Sequence, residues 1–426
     1  MNYDQATDYL FNLSTFGWKL GLEKIKLMLN ELGNPQDKYR TIHVAGTNGK
    51  GSTCAMIESI LRSAGYKTGL YTSPHLVYVG ERIRCNGKCI AKDDLVNYIS
   101  FLKPLIDKHQ CTYFEAITAL AFLYFADQHV EIAVIEVGLG GRLDATNVIS
   151  PLVSIITTID IDHTKQLGTN RKSIAVEKAG IIKSGSICIT PCQSKSVNSI
   201  ISEICQERNA EYFCVETKKN IEDIHLDENS STFDLTLNGD LYSRIKLSIA
   251  GEHQIQNAVL AMTTANIINA RFCPVTLENI YQGLATVTWY ARLQTISENP
   301  KIVIDAAHNP GGVSVLTRAV RAIFHYHRLI IVFGVCKDKN YKLMLKKLAS
   351  ISNVFIAVQA NTERGLAAAT IAKYASRYVQ HVYASDSVNE GLQYALQISG
   401  KNDLILCTGS HYVLNDILVY LNQLPD

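Results

Sequence analysis

The stretch His43–Ser52, HVAGTNGKGS, ends a strand-like run in a glycine-rich turn that carries one lysine. Backbone N–H groups of such a turn, at the start of a helix, form an anion site, and Lys50 adds a point charge for phosphates. Ser52 and Thr53 place hydroxyls where a Mg²⁺ ion beside those phosphates would sit. The common phosphate loop is longer between its first glycine and its Gly-Lys pair; here only Thr47 and Asn48 separate Gly46 from Gly49-Lys50. The stretch is either a nucleotide loop of a variant kind or an ordinary strand-to-helix turn with an exposed lysine.

Other strand ends carry chemistry-bearing residues. EVGLGGRLDATN (136–147) follows an apolar run and invites a dinucleotide reading, but Leu143 stands where the third glycine of that fingerprint belongs. Glu136 falls where the last residue of a strand points into the ligand crevice of an open α/β sheet, so it is a candidate metal ligand or a plain strand end. TTIDIDHTKQLGTN (157–170) puts Asp160, Asp162 and His163 at another strand end, a donor set suited to a divalent metal on phosphate oxygens. In SIAVEKAGIIKSG (173–185), Glu177 and Lys178 read by themselves as a surface pair; only burial would make that amine reactive. IDAAHNPGG (304–312) delivers Asp305 and His308 into a turn, and YARLQ supplies Arg292, a candidate phosphate contact; each by itself is equally a strand-end turn and a surface arginine.

The elements that position these residues alternate. TIHVAG (41–46), KTGLYT (67–72), EIAVIEVG (131–138) and LVSIITTI (152–159) read as buried parallel strands, with helical patterns between them. YFEAITALAFLYFADQH (113–129) reads as a buried helix. At about residue 220 the texture changes to alternating stretches around Asn238-Gly239, a hairpin signal, followed by a helix over 252–268. A second series, KIVIDAAHNP, RLIIVFGV, NVFIAVQA and DLILCTG, begins at residue 301. The fold class is therefore α/β with mostly parallel sheets in two domains, residues 1–288 and 289–426. The joint near 285–298 shows no periodic element of its own.

Composition narrows the partners. The 426 residues are 47% hydrophobic and 19% charged, which favours large cores over disorder. A net charge of +2, from 41 basic and 39 acidic residues, demands neither nucleic acid nor an anionic membrane. No apolar run reaches the ~18 residues of a bilayer span. The acidic N-terminus does not resemble a secretion signal, so the 11 cysteines are expected as reduced thiols in a cytoplasmic protein. Cys85 and Cys89 lack a second pair at zinc-site spacing.

Taken together, the motifs resemble the folylpolyglutamate synthases and the bifunctional dihydrofolate/folylpolyglutamate synthases, within the wider Mur-ligase-like amide ligases. HVAGTNGKGS matches that family's shortened phosphate loop; TSPHL (72–76), ERIR (81–84), TYFE (112–115), EVGLGGRLDATN, DHTKQLG, EKAGIIK, DAAHNP and CTGSHY (407–412) follow in the family's order.

The resemblance implies that Gly49, Lys50, Gly51 and Ser52 bind ATP phosphates, with Asn257, Arg292 and Asp305 as further ATP contacts, so that ATP is expected to bridge the domains. It implies Ser73, Glu136 and His163 as Mg²⁺ ligands, and Lys178 as a carbamylated lysine serving as a further metal-binding group. Lys50, Lys178 and His163 carry the catalytic roles. Lys19, Leu20 and Gly21, then Thr112, Tyr113, Phe114 and Glu115, then Leu143, Asp144 and Ala145 match the pterin-binding segments. Arg82, His308 and Ser410 match residues that hold the incoming glutamate.

The implied activity is ATP-dependent addition of L-glutamate to a reduced folate, and to dihydropteroate in a bifunctional enzyme, through an acyl phosphate. A monovalent cation, a monomeric state, and no nucleic-acid or membrane partner go with it. Two departures stand out. Lys19 occupies a place that is acidic in many bifunctional relatives, which bears on dihydropteroate use, and Tyr290-Ala291 replaces the usual Pro-Gly. The nearest alternative is a Mur-type ligase acting on a nucleotide-linked peptidoglycan precursor, which TYFE and GRLDATN disfavour. An ATP-driven switch without ligase chemistry is the alternative from another class.

Overall fold

In a computed structural model of the protein, residues 1–13, 21–237 and 239–423 are described, with Lys165 described by its backbone alone. An eight-stranded sheet is built from β1 (Arg40–Ala45), β2 (Thr68–Tyr71), β3 (Ile83–Cys85), β4 (Lys88–Cys89), β5 (Ile132–Glu136), β6 (Val153–Ile156), β7 (Ile187–Pro191) and β8 (Glu211–Val215). Its order is β4-β3-β2-β5-β1-β6-β7-β8, parallel from β2 to β8, with β3 and β4 antiparallel at one edge. β1, β5 and β6 are buried on both faces, hence their runs of Ile and Val.

Helices cover both faces. Leu120, Phe122 and Phe125 of the helix Tyr113–Asp127 join Met28, Leu29, Ile99, Leu102 and Tyr71 in the larger core of this part. Ile174, Val197 and Ile201 pack with Ile156 and Cys188 in a separate cluster. The sheet puts the carboxyl ends of β2, β5, β1 and β6 side by side. That edge is where open α/β sheets bind ligands.

The chain divides into two units, residues 1–220 with 257–286, and residues 221–256 with 287 onward. The second joint falls close to the expected 288/289. The first differs from expectation: residues 221–256 group with the C-terminal part. The reason is packing, since Leu226 and Ala250 join the C-terminal core and Glu228 pairs with Lys301. This segment holds β9 (Ile221–Leu226), β10 (Ser231–Leu237) and β11 (Asp240–Leu247), antiparallel in the order β11-β10-β9. Leu237 pairs with Asp240, as the expected hairpin requires; Asn238 lies outside the described residues.

The second unit's larger sheet contains β12 (Gln294–Glu298), β13 (Lys301–Asp305), β14 (Leu329–Phe333), β15 (Val354–Val358), β16 (His381–Ser385) and β17 (Leu404–Thr408), in the order β12-β13-β17-β14-β15-β16. All neighbours are parallel except β12 with β13. β12 lies inside the stretch read as lacking structure. As a part-exposed edge strand it shows no apolar run, and it forms because β13 offers it a ladder.

Among the described residues no group of three or more His, Cys, Asp and Glu side chains is placed to hold a metal ion. Cys85 and Cys89 sit on the β3–β4 hairpin. The expectation of reduced thiols throughout needs one correction: Cys192 and Cys214 are disulfide-bonded, because β7 and β8 run side by side and bring their ends to a Cα separation of 5.3 Å. Among the described residues no helix is long and apolar enough to cross a membrane.

Candidate active site

The loop after β1 is held from β6. Thr47 N–H donates to Thr158 O at 2.7 Å. The Thr157 and Thr158 hydroxyls donate to Asn48 O at 2.8 and 3.1 Å, and Thr47 Oγ1 accepts from Asp160 N–H at 3.0 Å. Gly49 caps the helix Lys50–Ser63 at φ 87°, a left-handed conformation that costs glycine little. A Cβ there would lie 2.5 Å from Asn257 Oδ1, so Asn257 rests against the loop as expected. Ser52 and Thr53 are buried at the first turn, and Thr53 Oγ1 has no hydrogen-bond partner.

Glu136 ends β5 beside that loop. One carboxylate oxygen accepts from Ser73 N–H at 3.0 Å, and the other lies 3.7 Å from Lys50 Nζ. Sheet order thus joins Lys50, Ser73 and Glu136 from three separate strand ends. His163 stands at the end of the segment that follows β6, with a left-handed backbone (φ 49°) and its Nε2 3.9 Å from Asp162. Asp160 is drawn instead to Arg171, at 3.0 Å.

Lys178 is not the surface residue that its local sequence suggests. It is 5% exposed, and its Nζ donates to Gly46 O at 2.7 Å. Burial first, and Lys50 second, pull its pKa down to about 7. A displacement from 10.5 to about 7 corresponds to a penalty on the order of 5 kcal/mol against the charged amine. Glu177 pairs with Arg142 rather than with Lys178.

The segments matched to pterin binding have clear local roles. Thr112 and Glu115 form a capping box on the helix Tyr113–Asp127, with the Thr112 N–H and hydroxyl both donating to Glu115 at 2.8 Å. Phe114 fills the space over Gly138, where a Cβ would lie 2.4 Å from the ring. This explains the glycine of EVGLGG without a nucleotide. Arg82 lies over the Tyr113 ring at 5.3 Å and donates through Nε to His75 Nδ1 at 2.8 Å. Burial, then Arg82, lowers the His75 pKa to about 3.

Asp144 is buried and accepts from Leu139 N–H, Thr146 N–H and the Thr146 hydroxyl. That hydroxyl spends its one proton on Asp144 at 2.5 Å, so His43 Nε2, 2.8 Å away, is the donor to it. The His43 Nδ1 has no partner, and burial lowers this imidazole's pKa to about 3. Leu143 is half-buried and Ala145 buried beside Asp144. Gly21 precedes the helix Glu23–Glu31; Lys19 and Leu20 lie outside the described residues.

In the second unit, Asp305 ends β13 opposite Thr408 of β17. Its carboxylate accepts from Leu293 N–H at 3.0 Å and Ala307 N–H at 2.9 Å; burial raises its pKa and Arg292 opposes the rise. The Arg292 guanidinium also donates to Ala291 O. Ala291 has φ 55°, so the place where relatives carry glycine is one where glycine is unstrained. His308 lies 5.7 Å from His411 between ring centroids, and Ser410 caps the helix His411–Tyr420. Parallel pairing of β13 and β17 thus brings Asp305, His308 and Ser410 to one edge.

Sequence reasoning missed His43, Thr146, Thr157 and Thr158. The available signals were a lone histidine in an apolar strand and paired threonines at a strand end.

Two family descriptions match the chain: the Mur ligase middle domain over residues 44–265, and the glutamate ligase domain of Mur ligases over residues 291–411. The chain is 34% identical over 425 residues to a dihydrofolate synthase/folylpolyglutamate synthase of Bacillus subtilis, covering 97% of this chain and 98% of the relative. It is 35% identical over 375 residues to a folylpolyglutamate synthase of Lacticaseibacillus casei, covering 86% and 87%. Among solved structures it resembles a Mycobacterium tuberculosis folylpolyglutamate synthase complexed with ADP, at TM-score 0.92 and 29% identity over the whole of both chains. It also resembles Escherichia coli FolC complexed with DHPP and ADP, at TM-score 0.85 and 29% identity over 98% and 97% of the two chains.

Proposed function

The chain belongs to the Mur ligase family, and within it to the folylpolyglutamate and dihydrofolate synthases, and from that premise we propose how its own residues serve ATP-dependent glutamate ligation to folates. The observation that carries the reading is the meeting of Lys50, Ser73 and Glu136 at the loop after β1, with Lys178 bonded to the same loop.

Making an amide from a carboxylate and an amine in water requires activation. The folate's terminal carboxylate attacks the γ-phosphorus of ATP, giving an acyl phosphate and ADP. The glutamate amine then attacks the acyl carbon, and phosphate leaves. Lys50 and the loop N–H groups of Gly49, Gly51 and Ser52 hold phosphate charge. Asn257 orients the loop, and Arg292 and Asp305 supply further nucleotide contacts. Phe114, Tyr113, Leu143, Asp144 and Ala145 present the pterin surface, with Thr112 and Glu115 fixing the helix that carries it. Arg82, His308 and Ser410 hold glutamate. Fixing two anionic substrates in line supplies several kcal/mol as effective molarity, about 7–11 at best.

The donor set fits Mg²⁺: a buried carboxylate, a serine hydroxyl and an imidazole, beside the unpartnered Thr53 hydroxyl. Bound there through Ser73, Glu136 and His163, the ion would neutralise phosphate charge. A buried amine whose pKa is lowered to about 7 is neutral in about half of the molecules near pH 7, which favours carbamylation of Lys178 and would turn it into an anionic group. A monovalent cation and a monomeric cytoplasmic protein complete the proposal; light scattering on the purified protein checks the monomer.

Phosphate release with each co-substrate omitted in turn tests the activity. Release that ignores glutamate and folate would overturn it. Mass spectrometry with dihydropteroate or tetrahydrofolate as sole acceptor decides bifunctionality. Addition to both is expected, and addition to tetrahydrofolate alone would reject dihydrofolate synthesis.

A further inference from the structure

β6 ends at Ile156 and β7 at Pro191, but the chain beyond β6 continues to be held from the β7 side. The holder is a side chain. Gln193 Oε1 accepts from Ile159 N–H at 2.7 Å, and its Nε2 donates to Thr157 O at 3.3 Å and to Thr190 Oγ1 at 3.3 Å. Its own backbone N–H is fixed by Asn198 Oδ1 at 3.1 Å. A carboxamide has the acceptor and donor of a peptide unit, so Gln193 extends the ladder past the end of the strands.

The segment it grips is the one that grips the phosphate loop. Thr157 and Thr158 bond Asn48 and Thr47, Asp160 bonds Thr47, and the chain then runs to Asp162 and His163. Residues 157–160 are therefore clamped between Gln193 and residues 47–48. We propose that Gln193 is a positioning residue for the nucleotide site: it touches neither ATP nor metal, but sets the register of the loop and the approach of His163. The proposal rests on the reading of residues 46–52 as the nucleotide loop. Among the described residues Gln193 alone bonds both Ile159 N–H and Thr157 O through its side chain, work that needs an acceptor and a donor on one short arm.

The test uses Gln193→Glu, which keeps the acceptor and the size but turns a carboxylate oxygen toward Thr157 O, and Thr190→Val, which removes the outer anchor of the amide together with the hydroxyl's bond to Pro191 O at 3.4 Å. MgADP binding is measured by calorimetry across a Mg²⁺ titration, alongside steady-state kinetics and thermal unfolding. Gln193→Glu is expected to weaken MgADP binding and raise the Mg²⁺ requirement by about tenfold, the scale of a small misplacement in a site, with the KM for glutamate unchanged. Thr190→Val is expected to shift the same two quantities in the same direction by less. Wild-type MgADP affinity and Mg²⁺ requirement in a folded Gln193→Glu protein would overturn the proposal, as would an equal rise in every KM. Should Gln193→Glu fail to fold, an unchanged Mg²⁺ requirement in Thr190→Val overturns it instead. Failure of the underlying reading looks different: the wild-type protein itself would then bind no MgADP.

Discussion

The Lys178 ammonium donates to the carbonyl of Gly46 across 2.7 Å, joining residues separated by 132 positions in the chain. The bond places a buried amine against the first glycine of the phosphate loop, where Lys50 already contributes positive charge. A buried Lys178 ammonium and the part-exposed Lys50 near one loop oppose each other, and the conflict is relieved when Lys178 is neutral or converted to an anion.

Lys178→Ala is therefore expected to abolish glutamate addition while nucleotide still binds. If a carbamate is the working form, acetate or propionate added to Lys178→Ala restores part of the turnover, because a small carboxylate replaces the missing anion. No rescue at any concentration would argue against the carbamate.

The same residue predicts a pH dependence of stability. Between pH 7 and 10.5 the unfolded chain keeps a proton on Lys178 that the folded protein lacks, so stability contributed by this site rises with pH. In CO₂-free buffer the contribution is at most about 1.4 kcal/mol per pH unit. Urea unfolding at pH 7 to 9 should show a flatter profile for Lys178→Met. Parallel profiles would contradict the burial argument.

Lys50→Ala leaves Glu136 without its cation and removes the loop's point charge. Turnover should fall about a hundred- to a thousandfold, the scale of losing one group that stabilises developing charge. Circular dichroism should be unchanged. Near-normal turnover by a folded Lys50→Ala protein would refute the assignment.

Gly138→Ala pushes a methyl group into the Phe114 ring. Overpacking of this kind costs about 1–3 kcal/mol. Phe114→Leu in the same chain should recover part of that loss, and a double-mutant cycle measures the coupling. Strictly additive losses would show that the two residues do not meet.

His43 predicts behaviour in acid. Its folded pKa of about 3 lies below the unfolded 6.5, so as pH falls from 6.5 the unfolded chain gains a proton that the folded protein refuses. Stability from this site is lost over that window. His43→Gln should reduce the slope of unfolding free energy against pH, measured from pH 6.5 to 4.5, by about 1.4 kcal/mol per unit at most. An unaltered slope would place His43 elsewhere than in the core.

The strands that carry the site were legible because burial on both faces writes them as runs of Ile and Val: IAVIE, VSII and LIIVF stand out without any partner in view. β12 and β16 were not, since edge strands are half-exposed and take their structure from the neighbour they pair with. The grouping of residues 221–256 with the C-terminal unit was hidden for a similar reason. Their hairpin is a local signal, but the Leu226 and Glu228 contacts that assign it to one unit are long-range.

At the site, the order of motifs along the chain was enough to identify the ligase family and to nominate Lys50, Ser73, Glu136, His163 and Lys178, because motif identity is one-dimensional information. What each residue experiences was decided only in three dimensions. VEKAG reads as a solvated pair, yet Lys178 is buried and Glu177 turns to Arg142. Gln193 belongs to no motif and His43 only opens the phosphate-loop stretch, yet one braces that loop and the other holds Asp144 through Thr146. Desolvation and hydrogen bonding depend on which atoms the fold brings within about 3 Å, and those atoms come from separate segments, 34 residues apart for Gln193 and Ile159 and 132 for Lys178 and Gly46.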